Sequence, residues 1–260
     1  MQPKTGWSRN QLLVAFYLYC RMPFGRMHRG NPDIVRLAGL IGRTPSALAM
    51  KLTNIASLDP AITSTGRKGL AGASAADRAM WDEMQHDWEN FALETLDAVQ
   101  RIEGSSIKDK NAELDWQPDE TDYEGIERIV ETKVRVGQSF FRSAVLSAYG
   151  FRCCISGLTV PQFLIASHIV PWRVDVNNRI NPRNGLCLSV LHDKAFDSGL
   201  ISVRLDMTVV VSPKLKALND SFLNEAILRF DGAPLHLPEK FLPEQEFLEY
   251  HRKVIFQGST

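Results

Sequence analysis

The most constraining feature of the sequence is the stretch from Phe163 to Val203, where two short apolar segments flank an irregular polar loop. The first apolar segment ends in His168, the second follows Asn184, and His192 lies where the second segment should pass into a helix. Short apolar runs bounded by Pro, Asn and Gly are typical of strands. We therefore expect one compact unit of strand, loop, strand and helix that brings two imidazoles and an amide together.

Charge is segregated along the chain, although the formal net charge is zero. Residues 1 to 60 hold 8 Lys and Arg against 2 Asp and Glu, whereas residues 61 to 122 hold 6 against 14. Residues 123 to 212 are again basic, with 10 against 7. Such asymmetry is typical of a phosphate-binding surface, although solvated charged faces without a ligand also produce it.

The length of 260 residues favours two domains. We expect a helical module over residues 1 to 102, a polar linker containing Pro118 over residues 103 to 122, and a second domain over residues 123 to 260. No apolar run approaches the roughly 20 residues that span a bilayer, and the first residues lack the layout of a secretory signal. The sequence therefore predicts a cytoplasmic protein that does not enter membranes.

The basic first block has the layout of a helix-turn-helix. Asn31 and Pro32 predict the start of one helix, Thr44 and Pro45 the start of the next, and Gly42 the turn between them. The second helix of such a motif usually enters the major groove of DNA. A plain helical bundle with basic solvent-facing residues is the alternative. The residues expected to contact DNA here are Arg43, Ser46, Met50, Lys51 and Asn54.

Three further helices and a hairpin are expected around these two regions. One long acidic helix should run from Ser74 to Ile102, where its charge suits packing or dimerisation better than DNA binding. A hairpin with Asp206 in its turn should follow the central stretch. Two helices should fill the segment after Lys214.

Two strings in the central stretch carry a resemblance to a known family. Residues 166–172 read ASHIVPW and residues 191–201 read LHDKAFDSGLI. Together with Asn184 between them, they resemble the HNH endonucleases, and most nearly a bacterial group of restriction-type enzymes. The resemblance implies an α+β protein whose second domain is a ββα-metal hairpin with flanking helices and a further hairpin. It is specific in the hairpin itself and extends in layout over roughly residues 133 to 250.

The resemblance assigns a role to each matching position. His168 would be the general base that takes a proton from water, and His192 would ligate a divalent cation. Asn184 would hold the loop and orient the ring of His168. Each residue also has an ordinary explanation, because a histidine in a strand is usually structural and Asn-Gly is first of all a turn signal.

The sequence departs from the family pattern next to the general base. Many relatives carry an acidic residue or a second histidine there as a metal ligand, whereas this chain has Ser167. Asp197 is the best replacement ligand and Asp193 the next, although both could be helix-end or surface charges. Such an oxygen-rich set favours Mg²⁺ or Mn²⁺ over Zn²⁺ or Ni²⁺.

Three arginines of the loop between the strands are candidates for phosphate contacts on either side of the scissile bond. Solvated loop arginines are the alternative. They are Arg173, Arg179 and Arg183.

These patterns favour a metal-dependent DNA endonuclease, and restriction or defence would suit the pairing of a DNA reader with a nuclease. DNA is the expected partner, a homodimer would supply the two sites that double-strand cleavage needs, and no organic cofactor is expected. The alternatives are a non-catalytic DNA-binding regulator that retains the hairpin as a scaffold, and a nuclease directed at RNA.

Overall fold

The structure is a computed structural model that describes residues 6–64, 72–104 and 126–258, except for the side chains of residues 126–134. The chain divides into two compact units, Met1–Ser143 and Ala144–Thr260. The expected α+β class is confirmed, because helices dominate and the strands form small antiparallel sheets. The expected linker lies outside the described residues apart from Glu103 and Gly104, which end a helix.

The first unit is built around its first helix. Its helices are α1 (Arg9–Arg21), α2 (Pro32–Leu40), α3 (Pro45–Ala56), α4 (Pro60–Thr63), α5 (Ala75–His86), α6 (Trp88–Glu103) and most of α7 (Ile126–Ala148). A capping box between Ser8 and Gln11 starts α1 by satisfying free backbone N–H groups. Every residue from Leu12 to Cys20 is buried, and α3 and α6 pack against this helix. Burial on all sides explains why α1 lacks a polar face.

The two helices predicted for the helix-turn-helix layout are present. The side chain of Asn31 accepts hydrogen bonds from the backbone at the start of α2, and Thr44 does the same for α3. Proline occupies the first turn of both helices. Gly42, in the turn between them, has φ +67°, a left-handed conformation that favours glycine. These helix starts and the turn are therefore confirmed as local structure.

The acidic region is two helices, so the prediction of one long helix is wrong. The chain breaks at Asp87, which has φ −146° and ψ 85°. The carboxylate of Asp87 accepts a hydrogen bond from the backbone N–H of Asn90 and thereby caps α6. The expected start at Ser74 is confirmed, because Ser74 and Asp77 form a capping box.

The second unit holds the strand pair predicted from the central stretch. Its elements are β1 (Leu164–His168), β2 (Gly185–Ser189), α8 (Val190–Asp197), β3 (Ile201–Val203), β4 (Val209–Val211), α9 (Pro213–Lys216), α10 (Ser221–Ala226) and α11 (Gln245–Tyr250). Strands β1 and β2 are antiparallel, with His168 opposite Gly185, and α8 packs against both strands. Leu164, Leu186, Leu188 and Phe196 are buried at this junction.

The remaining elements of the second unit lie next to α8 and β3. Strands β3 and β4 form the predicted hairpin, in whose turn Asp206 accepts hydrogen bonds from Thr208. In place of the two helices expected after Lys214, the chain forms three short helices, α9, α10 and α11. Helix α11 continues as a π-helical turn, His251–Ile255. Gly199, just after α8, lies against this turn so closely that a Cβ would come within 2.1 Å of the Ile255 carbonyl oxygen. Only glycine therefore fits at this position.

Within the described residues, no helix combines the length and the apolar character that crossing a bilayer requires.

Candidate active site

A cavity of about 490 Å³ opens beside the end of β1. Its wall includes His168 from β1, Asp193 and Asp197 from α8, and His251 from the π-helical turn. The other lining residues are Ile165, Ala166, Ser167, Pro171, Trp172 and Ile255. Because α8 packs back across the hairpin, two carboxylates and two imidazoles from distant parts of the sequence share one cavity.

His168 is held by the main chain of the loop. Its Nε2 atom lies 2.9 Å from the carbonyl oxygen of Arg179, and its ring meets Trp172 edge-on, with ring centroids 5.5 Å apart. A carbonyl oxygen can only accept, so Nε2 carries the proton and the lone pair of the neutral ring lies on Nδ1. Burial lowers the pKa of His168 below its usual value, which keeps the ring neutral near pH 7.

Asp193 and Asp197 lie one helical turn apart on α8 and both line the cavity. Burial raises the pKa of Asp193. Burial against the cavity wall and the charge of Asp193 together raise the pKa of Asp197 to about 6, although Asp197 lies at the exposed rim. Because the charge of Asp193 raises the proton affinity of Asp197, a cation bound between the two carboxylates would relieve their repulsion.

The Ser167 hydroxyl lies beside these carboxylates. It is buried and has no hydrogen-bond partner among the described residues at ordinary distance, yet it is near enough to Asp193 to lower the pKa of that carboxyl. A buried hydroxyl at the wall of a polar cavity that lacks a firm partner is costly unless a ligand or water satisfies it. Ser167 therefore marks a second place where this cavity can accept a ligand.

Asn184 holds the loop together. Its side chain is fully buried, accepts a hydrogen bond from the backbone N–H of Val170 at 2.8 Å, and donates to the carbonyl oxygens of Val170 and Asn178. These bonds join the two ends of the loop. The ring of His168 bonds to the Arg179 carbonyl oxygen and not to Asn184. Asn184 therefore influences His168 indirectly, by holding the loop that carries Arg179.

The expectation that His192 ligates a metal needs correction. The residue is buried, and its Nδ1 and Nε2 atoms lie 2.8 Å from the Ser189 hydroxyl and 2.9 Å from the Ala226 carbonyl oxygen. His192 is not among the residues that line the cavity. Because successive helical residues point about 100° apart, a helix that turns Asp193 toward the cavity turns His192 into the core.

His251 was missed by the sequence analysis. Its ring stacks on Phe196 at 3.6 Å between centroids, its Nε2 atom lies 3.1 Å from the Phe196 carbonyl oxygen, and its Nδ1 atom lies 2.8 Å from the Ser202 hydroxyl. Burial lowers the pKa of His251 to about 4. These contacts fix the end of α8 that carries Asp197. No local pattern signals this role, because His251 lies far along the chain from α8.

The three loop arginines differ in their surroundings. Arg179 donates from Nε to the carbonyl oxygen of Trp172 and lies over its ring. Arg183 forms an ion pair with Glu244 at 2.6 Å. Arg173 is exposed beside Trp172. Arg179 and Arg183 thus stabilise the loop, and Arg173 presents its charge to solvent.

In the first unit, the structure corrects two of the residues expected to contact DNA. Lys51 is buried, and its ammonium forms an ion pair with Asp77 at 2.8 Å. The guanidinium of Arg43 donates to the Gly6 carbonyl oxygen and to Gln11, and it lies over the ring of Trp7. Both cations are therefore engaged within the protein.

The other three candidates of this unit lie on the outer side of α3. Ser46 and Met50 are exposed, and Asn54 is half-buried. The charge of the basic block is also partly neutralised, because Arg9 pairs with Glu83 and Glu94 of the acidic helices. The outer side of α3 is consequently less basic than the sequence suggests.

A model of the HNH endonuclease family matches residues 153–204, which contain β1, β2 and α8. The resemblance inferred from the sequence is thereby confirmed over this segment. No curated protein matches the chain significantly. The match indicates a hydrolase of the nuclease type, and nucleases of this family typically use divalent metal ions.

The donor set of the cavity fits a sparsely ligated hard cation. Within the described part of the chain, no three His, Cys, Asp or Glu side chains come close enough together to hold a metal by themselves. Two carboxylates one turn apart, with the hydroxyl of Ser167 nearby, match Mg²⁺ or Mn²⁺. These ions keep several waters and use one or two carboxylates together with substrate phosphate oxygens.

Proposed function

We propose that the protein is a metal-dependent DNA endonuclease that hydrolyses phosphodiester bonds in the cavity formed by β1 and α8. One observation carries the proposal: a neutral imidazole, that of His168, shares a cavity with two carboxylates of raised pKa, Asp193 and Asp197. A general base beside an anionic pair able to hold a cation is the arrangement that phosphodiester hydrolysis requires.

The chain's own residues supply the base and its orientation. Nδ1 of His168 takes a proton from a water molecule as the water oxygen forms a bond to phosphorus. The bond from phosphorus to the 3′ oxygen then breaks, and that oxygen is protonated by solvent. The Arg179 carbonyl keeps the proton on Nε2, so Nδ1 remains the basic atom throughout.

Asp193 and Asp197 would hold the cation, with Mg²⁺ or Mn²⁺ favoured over Zn²⁺ or Ni²⁺ because the donors are oxygens. The bound ion would supply positive charge that stabilises the phosphate and the leaving oxygen. Asn184 keeps the loop, and hence Arg179, in place.

The wider role is part of the same proposal. The first unit would bring DNA to the cavity through the outer side of α3, where Ser46, Met50 and Asn54 lie. A homodimer would supply two cavities for double-strand cleavage, and restriction or defence would use such a pairing of a DNA reader with a nuclease. These roles rest on the helix-turn-helix layout and on analogy with the family.

Plasmid cleavage tests the proposal. Wild-type protein should nick or linearise plasmid with Mg²⁺ or Mn²⁺ but not with EDTA, and His168→Ala should lose this activity. His236→Ala is the matched control, because His236 is exposed and lies outside the cavity. Equal cleavage by wild type and His168→Ala would refute the proposal. Binding without cleavage would favour the DNA-binding regulator, and preferential degradation of RNA would favour the RNA-directed nuclease.

A further inference from the structure

The loop between β1 and β2 is held in place by hydrogen bonds among its own polar groups. The carboxylate of Asp175 accepts hydrogen bonds from the backbone N–H groups of Asn177 and Asn178 and from the side chain of Asn178. Asn178 in turn accepts a hydrogen bond from the side chain of Asn181 at 2.9 Å, and Asn184 donates to its carbonyl oxygen. The polar groups of the loop thus satisfy one another and fix its path.

The same loop buries Ile169, Val170 and Ile180 but leaves two valines exposed. Val174 is 54% exposed and Val176 is 53% exposed, on either side of Asp175. Isolated exposed valines are ordinary on protein surfaces. Two of them, two residues apart on a loop that hydrogen bonds hold in place, keep apolar surface in water that contact with a partner would remove. Because the loop is already ordered, these valines would lose little conformational entropy on contact with a partner.

The position of the loop indicates what covers the valines. Trp172 lines the cavity, exposed Arg173 follows it, and Val174 is the next residue. Arg179 of the same loop holds the ring of His168. Val174 lies close to the wall of the candidate active site, because its backbone N–H donates to the carbonyl oxygen of Pro171, which lines the cavity. Arg173 between them presents a positive charge that suits a phosphate.

We infer that Val174 and Val176 form a DNA-contacting surface, which packs against the sugar and base edges beside the scissile phosphate while Arg173 contacts a neighbouring phosphate. This inference rests on the proposed function, since it takes DNA as the substrate of the cavity. Apolar side chains placed against base steps are an established way for proteins to grip and deform DNA. The surface would thus fix where along the duplex the phosphate enters the cavity.

The salt dependence of DNA binding separates the two kinds of contact. Loss of an apolar contact weakens binding equally at all salt concentrations, whereas loss of one phosphate contact reduces the slope of log K against log salt by about one. The probe is a short fluorescently labelled DNA duplex, and the measurement is its anisotropy with the full-length protein in EDTA over a salt series.

Three variants make the comparison. Val174→Ser with Val176→Ser should bind about tenfold more weakly than wild type with an unchanged slope, consistent with roughly 1.4 kcal/mol of lost apolar contact. Arg173→Gln should lower the slope by about one. Val160→Ser is the matched control, because Val160 is an exposed valine of the same unit outside the loop, and its binding should equal that of wild type.

Several outcomes would overturn the inference. Unchanged affinity of the double valine variant, in a protein that binds and cleaves DNA, would overturn the inference alone. The inference would also fail if the double variant dissociated a dimer in sedimentation without weakening DNA binding, because a second copy of the chain would then cover the valines. A wild-type protein that neither binds the duplex nor cuts plasmid would overturn the proposed function first, and the inference with it.

Discussion

Two carboxylates of the first unit and two of the second lie in opposite electrostatic situations. In the first unit, Asp77 is buried against Lys51, and the exposed Glu83 is hydrogen-bonded to Arg9, which lowers its pKa. In the second unit, Asp193 and Asp197 face a cavity together and have raised pKa values. Carboxylates matched with cations stabilise a fold, whereas carboxylates grouped with each other store a repulsion that a bound cation can relieve. The difference agrees with a structural role for the first set and with the cation-binding role proposed for the second.

The largest expected effect comes from removing the carboxylates of the cavity. Asp193→Asn and Asp197→Asn should each lower cleavage by at least about 100-fold, because under the proposed function each would remove a ligand of the cation that stabilises the reacting phosphate. Mn²⁺ binding to the protein alone, followed by electron paramagnetic resonance, should weaken in parallel.

The stability of Asp193→Asn and Asp197→Asn tests whether these carboxylates also support the fold. Replacing one member of a repelling pair should leave the unfolding midpoint in urea unchanged or raise it slightly. Variants that bind Mn²⁺ as tightly as wild type would place the cation elsewhere. A large loss of stability would show that these carboxylates serve the fold as those of the first unit do.

Breaking the buried pair of the first unit should produce the next largest effect. Asp77→Asn leaves the Lys51 ammonium buried without its counter-charge, which typically costs about 3 to 5 kcal/mol. Urea unfolding followed by tryptophan fluorescence measures this loss. Lys51→Met combined with Asp77→Asn should recover part of it, because no buried charge remains.

Arg9→Gln is the matched control for an exposed pair. Exposed ion pairs contribute about 1 kcal/mol or less, so this variant should lose much less stability than Asp77→Asn. If Asp77→Asn and Arg9→Gln lost equal stability, the buried pair of Lys51 and Asp77 would have no larger structural role than the exposed pair.

The smallest expected effect concerns pH and His251. The pKa of His251 is about 4 in the folded protein against 6.5 for an unperturbed histidine, so protonation favours the unfolded state. Stability should be complete above pH 6.5 and should fall as the pH drops toward 4. The loss at full protonation is about 3 to 4 kcal/mol, since each tenfold change in proton affinity corresponds to about 1.4 kcal/mol.

Urea unfolding at pH 7 and at pH 4.5 tests this dependence. His251→Phe keeps the stacking on Phe196 but cannot be protonated, so its stability should change less between the two pH values than that of wild type. His236→Phe serves as the control, because His236 is exposed and should leave the pH dependence as it is. An unchanged pH dependence in His251→Phe would assign the acid sensitivity to other groups.

Local patterns predicted the parts of the fold that depend on neighbouring residues. Asn31 with Pro32 and Thr44 with Pro45 start the helices they were expected to start, because a cap and its backbone partners lie within three residues. The break at Asp87 was missed because an aspartate is compatible with a helix interior as well as with a cap. Whether Asp87 lies inside one helix or caps a second one depends on how the segments before and after it pack.

The candidate site could be predicted only in part for a related reason. The family strings located His168, Asn184 and the two aspartates, but the rotation of α8 decides which of its residues face the cavity. That rotation is set by packing against both strands, and it turns His192 inward and Asp193 outward. The contact of His251 with Phe196 joins residues far apart in sequence, which no local pattern could reveal.

The hydrogen bond from His168 to the Arg179 carbonyl has a consequence for divergence among proteins of this kind. The group that fixes the protonated nitrogen belongs to the backbone, so it is present whichever amino acid occupies position 179. A change of side chain there would reach the proposed base only indirectly, through the loop that the Arg179 guanidinium helps to hold at Trp172, whereas a one-residue insertion or deletion would displace the acceptor itself. Loop length, more than residue identity, is therefore the property that selection should preserve between the two strands.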